Sequence, residues 1–410
     1  MAIKRGVTGL WHRPGRRIFA FVIYDVLIVG GGPAGLALAR SLRGSRLRLA
    51  LIERAPVAAL ADPTDDGREI ALTHRSVDTL TRLGAWARIP ADEIAPLRSA
   101  RVLNGASRFA LGFDAGASGE GRLGQLVSNH HIRRALFRTV EDQDRLDVIA
   151  GVAVTSASAD RAGARVTLAD GRALRARLLV AADSRFSAVR EQLGIAAEVN
   201  RLGRSMLVCR VAHAGDHQGV ATEWFDHGQT IAMLPLNGRR SSAVLTLPAD
   251  RIDRLAALTP HALGAELTRR YDRRLGEMRV VGAPHVYPLA TTYARHFAAT
   301  RAALIGDAAV GMHPVTAHGF NLGLQGATTL ATLISDAAAD DRDIASSLLL
   351  RRFEAAHRLA SRPIYAATNL LVGLYTDERP AARIARRATL RAGARLPMVR
   401  QTISRLLMQH

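Results

Sequence analysis

Short apolar runs and helical periods alternate along the chain. Val26-Leu27-Ile28-Val29 is too short for a helix and is bounded by glycine, the pattern of a strand buried on both faces of a parallel sheet. Ala34 to Leu42 follows as a helix, and Leu47 to Ile52 is a second buried run closing at Glu53, so residues 24–54 form one βαβ unit. Pro56 to Gly67 is loop-like, and Arg68 to Leu72 leads into a helical pattern through Leu80 and Leu83. Residues 97–118, with Val102, Leu103, Phe109, Leu111 and Phe113 between turn residues, belong to strands of a different layer. Gly124 to Val140 is predicted to return to helix, since Ile132, Leu136 and Val140 recur at intervals of four. From Val148 to Val180 short strands return, with Asp170-Gly171 as a hairpin turn between Val166-Thr167-Leu168 and Leu174. Leu178 to Ala182 is another buried strand, and it ends in Asp183.

Residues 200–290 carry a different rhythm. Strand-like pieces at Met206–Val211, Thr222–Phe225, Thr230–Leu236 and Ser242–Leu247 are separated by gaps of hairpin length. A helix near Pro260–Arg270 and a strand into Val286–Leu289 follow, which predicts an antiparallel sheet in a lobe of its own. Ala302–Ile305 is the last buried strand; a helix runs from about Phe320 to Ala337, and the remainder is helical with breaks expected at Pro363, Pro380 and Pro397. The expected organisation is a tail at 1–23, an α/β domain from 24–96, 122–195 and 288–350, a sheet lobe from 97–121 and 196–287, and a helical region at 351–410.

Composition narrows the function classes. At 410 residues and 48% hydrophobic, the chain can bury a full core, yet no uninterrupted apolar run approaches the roughly 18 residues of a spanning helix. Cys209 is the only cysteine, which excludes an internal disulfide and suits a reducing, cytoplasmic compartment. The formal charge of +20 is concentrated at the ends. Residues 1–23 hold five basic side chains and no acid, and residues 351–410 hold twelve arginines against three acids, so the ends supply 14 of the 20. No aromatic or recognition-helix signature accompanies that charge, and a nucleic-acid partner is not expected. In the tail, Leu396, Val399, Ile403, Leu406 and Leu407 share one helical face with Arg400 and Arg405 off it. That face either packs on the body or enters an anionic lipid surface, making the protein peripheral on the inner face of the cytoplasmic membrane.

The chemistry begins at Gly30-x-Gly32-x-x-Gly35, placed between the first strand and its helix. There the first glycine permits the turn, the second lets a pyrophosphate approach the backbone, and the third lets helix and strand pack. The helix N-terminus, at Ala34, turns its N–H groups and positive dipole end toward that phosphate. Glu53 lies 18 residues after Gly35, near the spacing of a carboxylate that binds an adenosine ribose. Glu53, Asp183 and Asp307 each end a buried strand, where an open α/β sheet forms its ligand crevice, so one extended dinucleotide is expected to reach all three. His130-His131 and the other histidines lack metal-ligand spacing.

Together these residues carry a resemblance. Gly30-x-Gly32-x-x-Gly35 with Glu53-Arg54, then Ala182-Asp183-x-x-x-Ser187-x-x-Arg190, then Gly306-Asp307-Ala308-Ala309 with His313-Pro314 and Gly319-x-Asn321-x-Gly323, resemble the three fingerprints of single-component flavoprotein aromatic hydroxylases. Within that family the chain is similar to the ubiquinone-biosynthesis hydroxylases, those of the UbiM type above all, through residues 67–72, 123–136 and 306–324. The resemblance covers roughly residues 24–375. It implies a Rossmann-like FAD-binding domain of the para-hydroxybenzoate hydroxylase type, an antiparallel-sheet substrate lobe and C-terminal helices. It also implies Glu53 on the adenosine ribose with Arg54 beside it, Asp307 on the ribityl chain, Asp183 near the pyrophosphate or nicotinamide, and Arg68 and Arg133 near the cofactor. The helix starting at Gly319–Asn321 then faces the flavin.

The implied reaction is FAD-dependent hydroxylation of a polyprenylated phenol or quinol by the flavin C4a-hydroperoxide, with O2 and with NAD(P)H or another electron donor. Other ubiquinone-biosynthesis proteins are possible partners. No protein nucleophile is needed; His313 and His318 are the candidates for an acid–base role. Three departures stand out: Asp183-Ser184 where Asp-Gly is usual, Val310 in place of a common histidine, and Ala317-His318 in place of Gly-Gln. A prenyl reductase or halogenase on the same fold, or a subunit keeping flavin for structure, remains an alternative. A halogenase typically has a Trp-x-Trp-x-Ile signature, and Trp11, Trp86 and Trp224 are far apart.

Overall fold

The computed structural model describes residues 22–105, 110–114, 121–226 and 228–376. The basic segment before residue 22, the apolar face at Leu396–Leu407, and Pro380 and Pro397 lie outside the described residues.

The first sheet has a parallel centre, with strands ordered Ala302–Leu304, Ala173–Ala181, Val22–Val29, Leu49–Glu53 and Leu146–Ala150. Val26, Leu27 and Ile28 are fully buried, each contributing roughly 1.5–3 kcal/mol by removal from water. The hairpin turn at Asp170-Gly171 is present, and Val166 pairs with Leu174 across it. Ala173–Ala181 pairs in parallel with Val22–Val29 along its length, while on its other side its first residues carry the hairpin strand and its last residues pair in parallel with Ala302–Leu304. Helices Pro33–Ser41 and Gly319–Ala339 pack on each other over this sheet.

A second, eight-stranded sheet is antiparallel except where Val220–Asp226 runs parallel to Ser99–Asn104. Its two long strands, Ala197–His213 and Met278–Ala294, pair from Ala197↔Ala294 to His213↔Met278, running from the body into the sheet. Its two faces have different fates. Leu207, Trp224, Ile231 and Leu245 pack into a core against helices Ala249–Ala256 and Pro260–Arg270. The alternate positions face a cavity.

Three elements depart from the periodicity. Gly124–Ser128 is a strand, and the helix starts only at Asn129, because this strand is the centre of a three-stranded sheet with Glu69–Leu72 and Ile94–Leu97 on its sides. All five of its residues are buried, and a Cβ on Gly124 would stand 2.3 Å from the Leu72 carbonyl oxygen. Pro363 does not break its helix, which runs Ser347–Thr376. Pro363 and Leu359, four residues earlier, are both exposed, so the carbonyl that loses its partner faces water. Ala249–Ala256 adds a helix the strand rhythm hid. Among the described residues, no helix is long and apolar enough to cross a membrane.

Candidate active site

A cavity of about 1260 Å3 runs from the glycine turn to the free face of the antiparallel sheet. Pockets for one small ligand are roughly 300–1,000 Å3, so this one has room for a large cofactor and a second molecule.

At one end it is built from backbone. Gly30 has φ +115° and approaches the next strand so closely that a Cβ would lie 2.3 Å from the Ala182 carbonyl oxygen. A Cβ on Gly35 would lie 2.0 Å from the Gly30 carbonyl oxygen, so the helix packs at its distance only with glycine there. Gly32 is the opposite case: a Cβ there meets nothing within 4 Å. No side chain caps the helix it begins, and Ala34 in the first turn lines the cavity, which leaves backbone donors for an anion.

Glu53, the last residue of its strand, and Asp183 and Asp307, just past the ends of theirs, line this cavity together with Gly30, Gly32 and Ala34. Glu53 accepts from Gly31 N–H at 2.7 Å on one oxygen and from Ala55 N–H at 2.9 Å on the other. A carboxylate has about four acceptor sites, so both oxygens keep capacity for ribose hydroxyls. Asp183 has one buried oxygen, Oδ1, with no hydrogen-bond partner among the described residues, and burial pushes its carboxyl upward. Asp307 is held by Arg185, which donates to it at 2.9 and 3.2 Å and to the Ala290 carbonyl at 2.8 Å. An open cradle at Gly32 and an orphaned buried acceptor at Asp183 are what a bound pyrophosphate and its hydroxylated chain complete, so the residues present fit a dinucleotide.

Basic groups stand on the same walls. Arg133 lines the cavity with no hydrogen bond or ion pair among the described residues, and Arg54 is exposed at its rim. Arg68 is paired with Asp66 at 2.6 Å and lies over the Tyr287 ring at 5.4 Å, with Asn129 bound to the same carboxylate at 2.7 Å.

Gly319 and His313 line the cavity where the Gly319–Ala339 helix begins. His313 is buried, and burial first, then Arg185 and Arg204, push its ring down to about 4, so it is neutral near pH 7. Its Nδ1 accepts from Val315 N–H at 3.1 Å, which places the ring proton on Nε2 as a donor. Asn321, His318 and Gly35 sit behind the wall instead. The Asn321 side chain accepts from Thr73 N–H and donates to the Ala71 and Ala317 carbonyls, tying the helix start to the Glu69–Leu72 strand.

The chain matches the family described as FAD binding domain over residues 23–363. It is 45% identical over 387 residues to Ubiquinone hydroxylase UbiM of Neisseria meningitidis, covering 93% of this chain and 84% of that protein. The chain belongs to the FAD-dependent ubiquinone hydroxylases. A second relative, Ubiquinone hydroxylase UbiL of Rhodospirillum rubrum, is 34% identical across 95% of this chain and 89% of its own. In fold the hydroxylase is similar to p-nitrophenol 4-monooxygenase PnpA of Pseudomonas putida DLL-E4, with TM-score 0.75 at 18% identity, covering 94% and 98% of the two chains. The para-hydroxybenzoate hydroxylase type of architecture and the FAD cofactor expected from the fingerprints therefore hold.

Sequence reasoning passed over several residues of the site. Arg185 lies inside the second fingerprint between Asp183 and Ser187, and only the third dimension shows its pairing with Asp307. Arg190, which closes the second fingerprint, is fully buried and donates to the Arg185 and Ala308 carbonyls, a role its place in the motif did not show, fastening the second fingerprint to the third. Tyr287, Asn129 and Glu223 also line the cavity. Their one signal is a polar residue inside a strand or helix start, which periodicity cannot assign to a face.

Proposed function

We propose that this hydroxylase acts on a polyprenylated phenol or quinol, with NAD(P)H as electron donor and O2 as oxidant. The observation that carries the reading is the continuity of one cavity from the Gly32 cradle to an apolar sheet face, where Met206, Val208 and Val244 provide a wall for a greasy substrate. FAD, when bound, supplies the activation of oxygen. The chain's own part is to hold and shield. Glu53, Arg133 and Asp307 would hold the cofactor, the positive end of the Gly319–Ala339 helix would favour negative charge beside it, and the sheet wall would exclude water from the substrate end.

Residence in the cytoplasm, with the basic C-terminal region on anionic lipid and beside other enzymes of the route, brings the site to a substrate held in a bilayer. Quinone intermediates profiled in cells lacking the gene test the substrate: accumulation of a ring one hydroxyl short supports it, and an unchanged profile overturns it. NADPH and O2 consumption by the purified yellow protein should rise on adding a prenylated phenol. Sedimentation with anionic vesicles at low salt, lost on truncation after Pro380, tests the surface attachment.

A further inference from the structure

Among the described residues, Glu223 is the one acid that the antiparallel sheet contributes to the cavity wall. It sits inside the sheet, since Val220–Asp226 lies between Gln229–Leu236 and Ser99–Asn104 and has no open edge there. The row of residues across the strands at its level reads Val102, Glu223, Ala232, Val244 and Val208. The next row on that face is Phe225, Thr230, Thr246, Met206 and Tyr287. One residue out of register, Trp224 points to the other face and packs against Tyr271 in the core. The alternation of the strand therefore fixes Glu223 on the cavity side. Its side chain is half-buried on the cavity wall; no hydrogen bond or ion pair holds it among the described residues, and desolvation there raises its carboxyl to about 8.

A lone carboxyl on an apolar wall is unfavourable unless something satisfies it. Its strand neighbours do not: Val102 and Ala232 are apolar, and Arg101 pairs with Thr222 at the adjacent level, whose side chains point to the other face. Nor does any other titratable group of the cavity wall, Arg68, Arg204 and the neutral His313 among them, shift it. On the function proposed above, this space receives the substrate. We propose that the Glu223 carboxyl is the specificity-determining group that recognises a ring hydroxyl of the aromatic substrate on the sheet wall. This deepens the phenol or quinol reading above and rests on it. Near pH 7 the carboxyl is neutral, so it offers one O–H donor and one carbonyl acceptor to a hydroxyl, while the flanking rows take the apolar substituents.

The test uses full-length holoprotein and two probes, 2-geranylphenol and its methyl ether, with binding read from perturbation of the flavin absorbance at pH 7. The wild type should bind the phenol about tenfold more tightly than the ether, the worth of one hydrogen bond to a buried group. Glu223→Leu should bind both alike, with the ether bound no more weakly than by wild type. Glu223→Gln, neutral and still donor and acceptor, should keep the preference. FAD stoichiometry in each variant shows that the cofactor end is intact, and a merely structural role would not move the phenol-to-ether ratio. Equal binding of both probes by a wild type that still turns over the phenol overturns the role of Glu223 alone. Binding of neither probe overturns the phenol reading and this inference with it. A preference surviving in Glu223→Leu assigns recognition to another group and also overturns the inference.

Discussion

The two ends of the cavity are built from different materials. The dinucleotide end is backbone: three glycines, a helix start and strand-ending acids, most of it within residues 30–54. The substrate end is side chain, taken from alternate positions of strands spread over residues 202–289. A backbone site tolerates almost no change at its contact points but needs few residues. A sheet wall is made of interchangeable apolar groups, so its specificity rests on the few polar ones among them.

The largest effect expected from this difference is within the glycines themselves. Gly35→Val should fail to give soluble protein, because a Cβ would lie 2.0 Å from the Gly30 carbonyl oxygen and neither backbone segment can yield. Gly32→Val should fold, since its backbone is extended and a Cβ meets nothing, and thermal unfolding should move by no more than about 2–4 °C. Yet it should purify colourless, because the added branch fills the space for the pyrophosphate. A Gly32→Val protein with full FAD would break the contrast between open cradle and packed contact.

Smaller is the effect of Asp307→Ala. Loss of one charge-assisted hydrogen bond, roughly 1.5–3 kcal/mol, should weaken FAD at least tenfold in an equilibrium titration of apoprotein. Because this also frees Arg185, the double change Asp307→Ala with Arg185→Ala should be less than additive. At the substrate end, Ala232→Phe should plug the wall and raise KM for a prenylated phenol about tenfold while leaving FAD content unchanged. Loss of FAD in that variant would show that the two ends do not act separately.

The last effect is read on the apoprotein, as stability against pH. Burial raises the Glu223 carboxyl from 4.5 to about 8, so between those values the folded protein holds a proton that the unfolded chain has released. Stability therefore falls as pH rises through that window and levels off above it. Glu223→Gln should flatten this fall in denaturant titrations of the apoprotein between pH 5 and 8. An unchanged slope would mean that the carboxyl is solvated.

The βαβ unit, the three acids and the cofactor were legible because each depends on a local rule. An apolar run bounded by glycine becomes a buried strand, and a GxGxxG between strand and helix places glycine where backbone must approach backbone or phosphate. The hairpin at Asp170-Gly171 follows from the same kind of rule. Gly124–Ser128 escaped because a five-residue buried run beside a helix has no periodicity of its own; its partners, 69–72 and 94–97, are distant in sequence. Pro363 escaped because whether a proline ends a helix depends on which way the freed carbonyl faces.

Glu223 and Arg185 show the same division at the site. The sequence alone determined that residues 222–225 form a strand, and thus that Glu223 and Trp224 lie on opposite faces. Only the tertiary structure decided which face was core and which was cavity, because that choice is made by the helices Ala249–Ala256 and Pro260–Arg270 covering one side of the sheet. Likewise the fingerprints placed Asp183 and Asp307 just past the ends of their strands, but the parallel pairing of Ala173–Ala181 with Ala302–Leu304 brings Arg185 to Asp307 across 122 residues. Local propensity and spacing act over a few residues, whereas a site assembled across strands depends on register and on what packs behind them.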